Sequence, residues 1–142
     1  TTSWTYNTLS LVVTGNTYVA NVEKTGAYQA RIVETWPGGL SCSSLSPVIT
    51  IDAPASSKLF IFPSPNDGSF TVSYYNSGGA STSRTVTVYD SRGSKVEFNK
   101  FTVNGPYTLL SIDIKPAQRG VYYVVVGDAN GKALADGKVV VQ

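Results

Sequence analysis

Apolar and polar residues alternate in several short stretches of this chain, and this alternation constrains the fold more than any other feature. It is cleanest in residues 84–88 and 110–114, where aliphatic side chains alternate with polar ones. A period of two residues is typical of a β-strand with one buried face. No stretch shows helical periodicity beyond a single turn. The sequence therefore predicts an all-β protein.

Seven strands can be placed in the last part of the chain. They span residues 58–62, 69–75, 83–89, 95–103, 108–114, 121–127 and 133–141. Several of the segments between them hold residues that tolerate a positive φ and so favour turns, at 66–68, 76–79, 91–93 and 128–131. In the fourth strand the alternation shifts by one residue, which predicts a bulge or tight turn near Asn99-Lys100. Seven such strands favour an immunoglobulin-like antiparallel β-sandwich.

One short pattern occurs twice: a turn glycine, a tyrosine two residues later, and then a strand. Gly26 and Tyr28 form the first copy, and Gly120 and Tyr122 form the second, 94 residues later (120 − 26). In immunoglobulin-like domains, which are about 100 residues long, a tyrosine near the start of the penultimate strand bonds back to the backbone at a corner. The repeat therefore predicts two successive sandwiches.

The spacing of this repeat predicts the domain organisation. Residues 1–52 are expected to be the C-terminal part of an immunoglobulin-like sandwich, and residues 58–142 a complete one. Small residues and one proline make 53–57 a linker. Trp4 fits the buried tryptophan of a third strand, which places the first two strands upstream of this sequence. A short strand is expected at 18–22, and a final strand at 47–51.

Composition excludes several classes of function. The net charge is only +2 and no basic cluster is present, so we expect no nucleic-acid binding. No apolar run of about 18 residues predicts a transmembrane segment. There is no histidine, and the nine acidic residues are scattered, so we expect no metal site, no cofactor and no enzymatic activity. Since the chain has no methionine, we expect it to be the C-terminal part of a longer precursor.

Two further features leave alternatives open. The single cysteine, Cys42, is either a buried free thiol or one half of a disulfide whose partner lies in missing upstream sequence. The second feature is a set of aromatic residues that could form a platform for sugar rings, with Trp36 as its best single member: Trp4, Trp36, Tyr74, Tyr75 and Tyr107. That platform predicts an alternative function, a cell-surface adhesion or carbohydrate-binding module.

Four short motifs follow one another in residues 58–142, beginning with a proline-rich run, a strand–hairpin–strand unit and a Gly-Val-Tyr strand. The residues of these three motifs are Pro63, Pro65, Asn66, Gly68, Tyr89, Asp90, Gly93, Gly120 and Tyr122. In this order the motifs resemble those of the C-terminal sorting domain of the type IX secretion system (type A), a family that occurs in secreted and cell-surface proteins of Bacteroidetes. The first motif resembles the family's Tyr/Phe-Pro-Asn-Pro opening, with Ser64 in place of the first Asn.

The fourth motif is similar to the terminal lysine and aliphatic residues with which such proteins end. It consists of Lys138, Val139, Val140, Val141 and Gln142. An extended chain end can be captured by a partner through backbone pairing and side-chain pockets, so these residues are the candidate partner-binding segment. The valines fit equally well as the last part of the sandwich core, and both roles are compatible if alternate residues face opposite ways.

The resemblance implies a non-catalytic signal that directs a cargo protein across the outer membrane, via the periplasm, to a secreted or cell-surface location. The implied partners are the translocon, an outer-membrane β-barrel shuttle protein and a sortase-like peptidase. That peptidase commonly cleaves the tail and can attach the cargo to the surface. The upstream residues resemble the immunoglobulin-like repeats found beside such tails.

Overall fold

The computed structural model of the protein describes residues 1–13, 15–20, 23–77 and 81–142. The described residues form β-strands joined by turns and loops, and none of them lies in a helix. The chain divides into two compact units, Thr1–Ala53 (unit 1) and Pro54–Gln142 (unit 2). The predicted turn at Gly78-Gly79 and the predicted strand end at Val22 lie outside the described residues. The all-β prediction is confirmed.

Unit 1 is an antiparallel sheet in which β3 is central and pairs with β1, β4 and β5. Its strands are β1 (Thr2–Tyr6), β2 (Leu9–Leu11), β3 (Gly26–Thr35), β4 (Ser41–Leu45) and β5 (Ile49–Ile51). Both β4 and β5 follow the same edge of β3, and Pro47 lies in the break between them. Because proline lacks the N–H that a ladder needs, the strand predicted at 47–51 begins only at Ile49, as β5. The strand β4 was not predicted. Residues 18–20 form no strand.

Stacked aromatic rings line one face of unit 1. The ring centroids of Trp4 and Tyr18 are 6.0 Å apart, those of Tyr18 and Tyr28 5.4 Å, and those of Tyr28 and Tyr6 5.0 Å. Trp4 is only half-buried, and its Nε1–H donates to the carbonyl of Gly15 at 3.3 Å. Tyr28 is 5% exposed, and this burial raises the pKa of its hydroxyl above the usual 10.0.

Unit 2 consists of two antiparallel sheets, ordered β10-β7-β6 and β12-β11-β8-β9. Its strands are β6 (Phe60–Phe62), β7 (Ser69–Ser73), β8 (Thr82–Tyr89), β9 (Lys95–Val103), β10 (Leu110–Asp113), β11 (Gly120–Gly127) and β12 (Ala133–Val141). All seven predicted strands are present, with ends that differ by at most two residues. The immunoglobulin-like sandwich predicted for this part of the chain is confirmed.

Aliphatic side chains from both sheets fill the core between them. The alternation in β11 decides which residues enter it, since Tyr122, Val124 and Val126 are buried while Val121 and Tyr123 remain about two-fifths exposed. Fully burying one such aliphatic side chain stabilises a fold by about 1.5–3 kcal/mol. The fully buried side chains of the core are Val72, Val86, Val88, Val124, Val126 and Val139.

The bulge predicted at Asn99-Lys100 is not there. Both residues pair regularly with β8, and the register shift of this hairpin lies between Val88 and Tyr89, opposite the start of β9. Phe98 is 51% exposed, whereas Val103 is 4% exposed. The change of phase in the sequence therefore arises because two apolar runs lie on opposite faces of one regular strand.

The repeated glycine–tyrosine pattern forms the same corner in both units, as predicted. The hydroxyl of Tyr28 donates to the carbonyl of Lys24, and that of Tyr122 donates to the carbonyl of Gln118 at 2.8 Å. In each case the acceptor lies four residues before the tyrosine. The preceding glycine, Gly120 in unit 2, has φ of +155°, a conformation that other residues rarely adopt. This corner fixes the entry of β11 into the sandwich.

Tyr122→Phe is expected to lower the free energy of unfolding of unit 2 by about 1 kcal/mol, because it removes one hydrogen bond and leaves the buried ring in place. The matched control is Tyr123→Phe, whose ring is 41% exposed and whose hydroxyl makes no hydrogen bond to another described residue. Urea denaturation followed by circular dichroism measures both variants. Equal stability losses in the two variants would contradict the role of the corner.

Candidate functional site

The C-terminal strand β12 is held along both of its edges. On one side it pairs with β11. On the other side, the N–H of Asn66 donates to the carbonyl of Val140 at 3.0 Å, and the carbonyl of Asn66 accepts the N–H of Gln142 at 2.9 Å. The N–H of Val140 also donates to Oγ of Ser64 at 3.2 Å. We call residues 64–66 the clip, because they close the outer edge of the strand.

Proline and asparagine give the clip its shape. Pro63 and Pro65 have a fixed φ and no N–H, so this segment cannot continue as a regular strand. The side chain of Asn66 braces the turn, since Nδ2–H donates to the carbonyl of Pro63 at 3.0 Å and Oδ1 accepts the N–H of Gly68 at 2.8 Å. Ser64 still supplies a side-chain oxygen, although the family motif has asparagine there. The first and last motifs are thus one structural unit.

The five residues of the predicted partner-binding segment divide by face. Val139 and Val141 are 0% and 3% exposed and belong to the core. Lys138 and Gln142 are exposed, and Val140 is half-buried. Their alternation leaves three side chains facing away from the core. This segment is therefore a core strand with one outward row, and not a loose chain end.

One aspartate stabilises the turn of the hairpin motif. Oδ1 of Asp90 accepts the N–H groups of Arg92 and Ser94 at 2.9 and 2.8 Å, and Gly93 has φ of +84°. The turn between β11 and β12 repeats this arrangement, with Asp128 in the place of Asp90. Asp90 is accordingly a turn residue that hydrogen-bonds its own backbone.

All four motifs meet at one end of unit 2, which we call the motif end. Asn66 forms a bridge with Val141, and Val141 in turn pairs with Gly120. Asp90, Gly120 and Tyr122 line a single groove of about 270 Å³ between the β8–β9 turn and the β10–β11 loop. Residues that are up to 76 positions apart in the sequence (142 − 66) thus come into contact at this end.

An ion pair joins two loops at this end. Nζ of Lys115 lies 2.6 Å from a carboxylate oxygen of Asp67. The hydrogen bond from Lys115 holds the pKa of Asp67 below its usual 3.8, and the same bond raises the pKa of Lys115 above 10.5. Both side chains are largely exposed, so solvent screens the pair and its contribution to stability is small.

Cys42 lies in β4 as an exposed free thiol. The alternative of a buried thiol is therefore wrong, because β4 is an edge strand whose side chains are all exposed. A disulfide to upstream sequence stays a prediction.

The predicted aromatic platform is divided between the two units. Trp4 and Trp36 belong to unit 1, and Tyr74, Tyr75 and Tyr107 to unit 2. Trp36 is 48% exposed in the β3–β4 turn. Tyr75 and Tyr107 pack against each other with centroids 5.5 Å apart, and Tyr74 packs against the core. No single unit brings all five rings together.

The described residues contain neither a metal-binding cluster nor a membrane-spanning helix. No three histidine, cysteine, aspartate or glutamate side chains among them lie close enough to hold a metal ion. In the same residues, no helix is long and apolar enough to span a membrane.

Comparison with known proteins identifies the family. The model of the family described as "Secretion system C-terminal sorting domain" matches residues 60–142, more than half of the chain. The chain belongs to this family. The sorting domain is a signal for type IX secretion, and it implies export across the outer membrane to a secreted or surface location. Domains of this kind are generally non-catalytic.

A solved structure shares the fold. The crystal structure of dimeric latent PorU from Porphyromonas gingivalis aligns with a TM-score of 0.50 and 20% sequence identity. The alignment covers 82% of this chain and 12% of the PorU chain, so it shows the fold alone. No curated protein matched the chain.

The clip and the groove were not predicted from the sequence. The clip joins main-chain atoms of residues far apart in the chain, and main-chain pairing leaves no pattern in side-chain types. The groove is bounded by two loops that adjoin different strands. The residues that line it can therefore be identified only once the order of the strands in the sheet is known. A usable signal was the position of the last strand, because an edge strand needs some form of cover.

Ser64→Ala is expected to speed hydrogen exchange at the Val140 amide by about 2- to 10-fold, since removing the Oγ acceptor costs about 0.5–1.5 kcal/mol. Exchange measured by NMR on the whole chain reports this directly. Ser91→Ala is the matched control, because Ser91 lies in an exposed turn, and it should leave the Val140 rate unchanged. An unchanged rate in Ser64→Ala would show that the clip does not hold the strand.

The Asp67–Lys115 pair predicts a specific dependence of stability on pH. Because the folded-state pKa of Asp67 is lowered, the pair stabilises unit 2 above pH 3.8, and this stabilisation is lost as pH falls further. The raised pKa of Lys115 predicts a second loss above pH 10.5. The melting temperature of wild type should therefore exceed that of Asp67→Asn near neutral pH, with a difference that shrinks toward about pH 2.

Lys115→Gln should show the same loss, and the double variant should lose no more than either single variant. Additive losses in the double variant would contradict a direct interaction between the two groups.

Proposed function

We propose that unit 2 is a folded, non-catalytic secretion signal whose motif end is read by the type IX machinery. The proposed readers are the outer-membrane β-barrel shuttle protein and the translocon. The observation that supports this is the convergence of all four motifs, including the C-terminal strand, on one end of the sandwich. Nothing in packing alone requires every motif of a signal to lie at the same end.

The outward row of β12 is the proposed contact surface. Lys138, Val140 and Gln142 face away from the core there. The clip already occupies the outward backbone groups of Val140 and the N–H of Gln142. A partner therefore contacts side chains on this surface and does not add a strand along this part of the edge. Lys138 supplies a positive charge, and its Nζ lies 5.4 Å from the ring centroid of Tyr123.

We also propose a domain assignment for the chain and the steps that follow export. Residues 1–52 are the end of an immunoglobulin-like cargo domain, 53–57 are a linker, and 58–142 are the sorting domain. After export, a sortase-like peptidase cleaves the tail and attaches the cargo to the cell surface. The low charged fraction of 14% is consistent with an extracellular destination.

The test is export of a periplasmic reporter fused to the whole chain, in a bacterium that has this machinery. Lys138→Glu is expected to lower the extracellular reporter by about tenfold, since reversing a charge at an interface costs several kcal/mol. The matched control is Lys132→Glu, which makes the same change of charge in the turn at the opposite end of the sandwich and should export normally. Circular dichroism confirms that both variants are folded.

A third variant distinguishes loss of the contact surface from loss of core packing. Val139→Ala alters only the core, so export that fails in Val139→Ala but persists in Lys138→Glu would show that the outward row is not read. Export that persists when residues 54–142 are deleted would overturn the proposal entirely.

A further inference from the structure

Two arginines and one aspartate line the groove at the motif end. Arg92 and Arg119 both line it, on the β8–β9 turn and the β10–β11 loop respectively. The Arg92 side chain is 82% exposed, and its Nε lies 4.0 Å from Asp90, a distance too long for a hydrogen bond. Arg119 is exposed and makes no side-chain hydrogen bond or ion pair with any other described residue. Two guanidinium groups therefore face one groove with their donors largely free.

Three carboxylates lie near this groove, and each accepts hydrogen bonds. Oδ1 of Asp90 accepts two backbone N–H groups of its own turn. On the β10–β11 side, Asp113 accepts the N–H of Lys115, and Asp67 pairs with the Lys115 ammonium. The second carboxylate oxygen of Asp90 lies 4.0 Å from Nε of Arg92 and partly balances its charge. Arg119 is the guanidinium of the groove that has no carboxylate partner among the described residues.

Two valines give the groove an apolar part. Val96 and Val121 line it and are each 40% exposed, although both belong to strands. The largely buried Tyr122 also lines it, and its hydroxyl donates a hydrogen bond to the carbonyl of Gln118. With a volume of about 270 Å³, the groove is smaller than a typical small-molecule pocket and matches one or two side chains of a peptide.

We propose that this groove binds an acidic peptide segment of a partner protein, with a carboxylate between Arg92 and Arg119 and a neighbouring apolar side chain on Val96 and Val121. Guanidinium groups are the planar donors that match carboxylates in a two-bond arrangement. Two cations are too few to follow a nucleic-acid backbone, and the two exposed valines favour a peptide over a bare anion. The inference rests on the proposed function only in naming the partner as part of the export machinery.

The experiment titrates the isotope-labelled 142-residue chain with an acetylated and amidated Glu-Leu-Glu tripeptide, followed by NMR. Backbone amide shifts are expected at residues 91–93, 96 and 118–122 and nowhere else. Arg92→Gln and Arg119→Gln should each weaken binding by about tenfold, because each removes a charge-assisted hydrogen bond. Lys132→Gln, the matched change of charge at the opposite end of the sandwich, should bind as wild type.

Two further probes define the ligand class. A Gln-Leu-Gln tripeptide should produce no saturable shifts, and inorganic phosphate should bind more weakly than Glu-Leu-Glu because it makes no use of the valines. Equal binding of phosphate would overturn the peptide assignment in favour of a simple anion site. Shifts spread over all lysines and arginines, or binding unaffected by Arg119→Gln, would overturn the groove itself.

This outcome is separable from that of the export experiment. Peptide binding in vitro with normal export of the Arg92→Gln and Arg119→Gln reporters would assign the groove to a partner outside the export path. Absence of peptide binding together with loss of export in Lys138→Glu would refute the groove and leave the outward row of β12 as the recognised surface.

Discussion

The structure of unit 2 depends on how its last strand is held. β12 lies between β11 on one side and the clip on the other, and Val139 and Val141 complete the core. The outward row, which includes Lys138 and Val140, is therefore fixed in space only while the sandwich is intact. A receptor that reads this row also reads whether the tail has folded.

Turn chemistry alone does not distinguish the motif end of unit 2 from its opposite end. The aspartate turn at Asp90 is repeated almost atom for atom at Asp128, which lies at the opposite end of the sandwich. What distinguishes the two ends is their neighbours. Only the turn at Asp90 faces the β10–β11 loop, with Arg119 and the tyrosine corner at Tyr122. The two ends therefore differ in the combination of loops around a turn that they share.

The sequence predicted the strands of unit 2 well because alternation records one buried face directly. It predicted the tyrosine corner for a similar reason, since a glycine with positive φ and a tyrosine two residues later form one local device. The predicted bulge in β9 was wrong because both faces of this strand carry apolar residues, such as Phe98 on one face and Phe101 on the other. A pattern of residue types does not show which of two apolar faces is buried. The exposure of Cys42 was equally undetermined, since an edge strand of small polar residues has no period.

The groove and the outward row are parts of one surface. Val121 lines the groove and pairs with Val140 across the β11–β12 ladder, so an apolar strip runs from one to the other. Arg92 and Arg119 lie at one end of this strip, and Lys138 lies beside the other. A stable interface buries about 800 Å² on each partner, more than either part offers alone. A partner that covers both needs an apolar centre bordered by acidic residues, and this requirement follows from the register of two neighbouring strands.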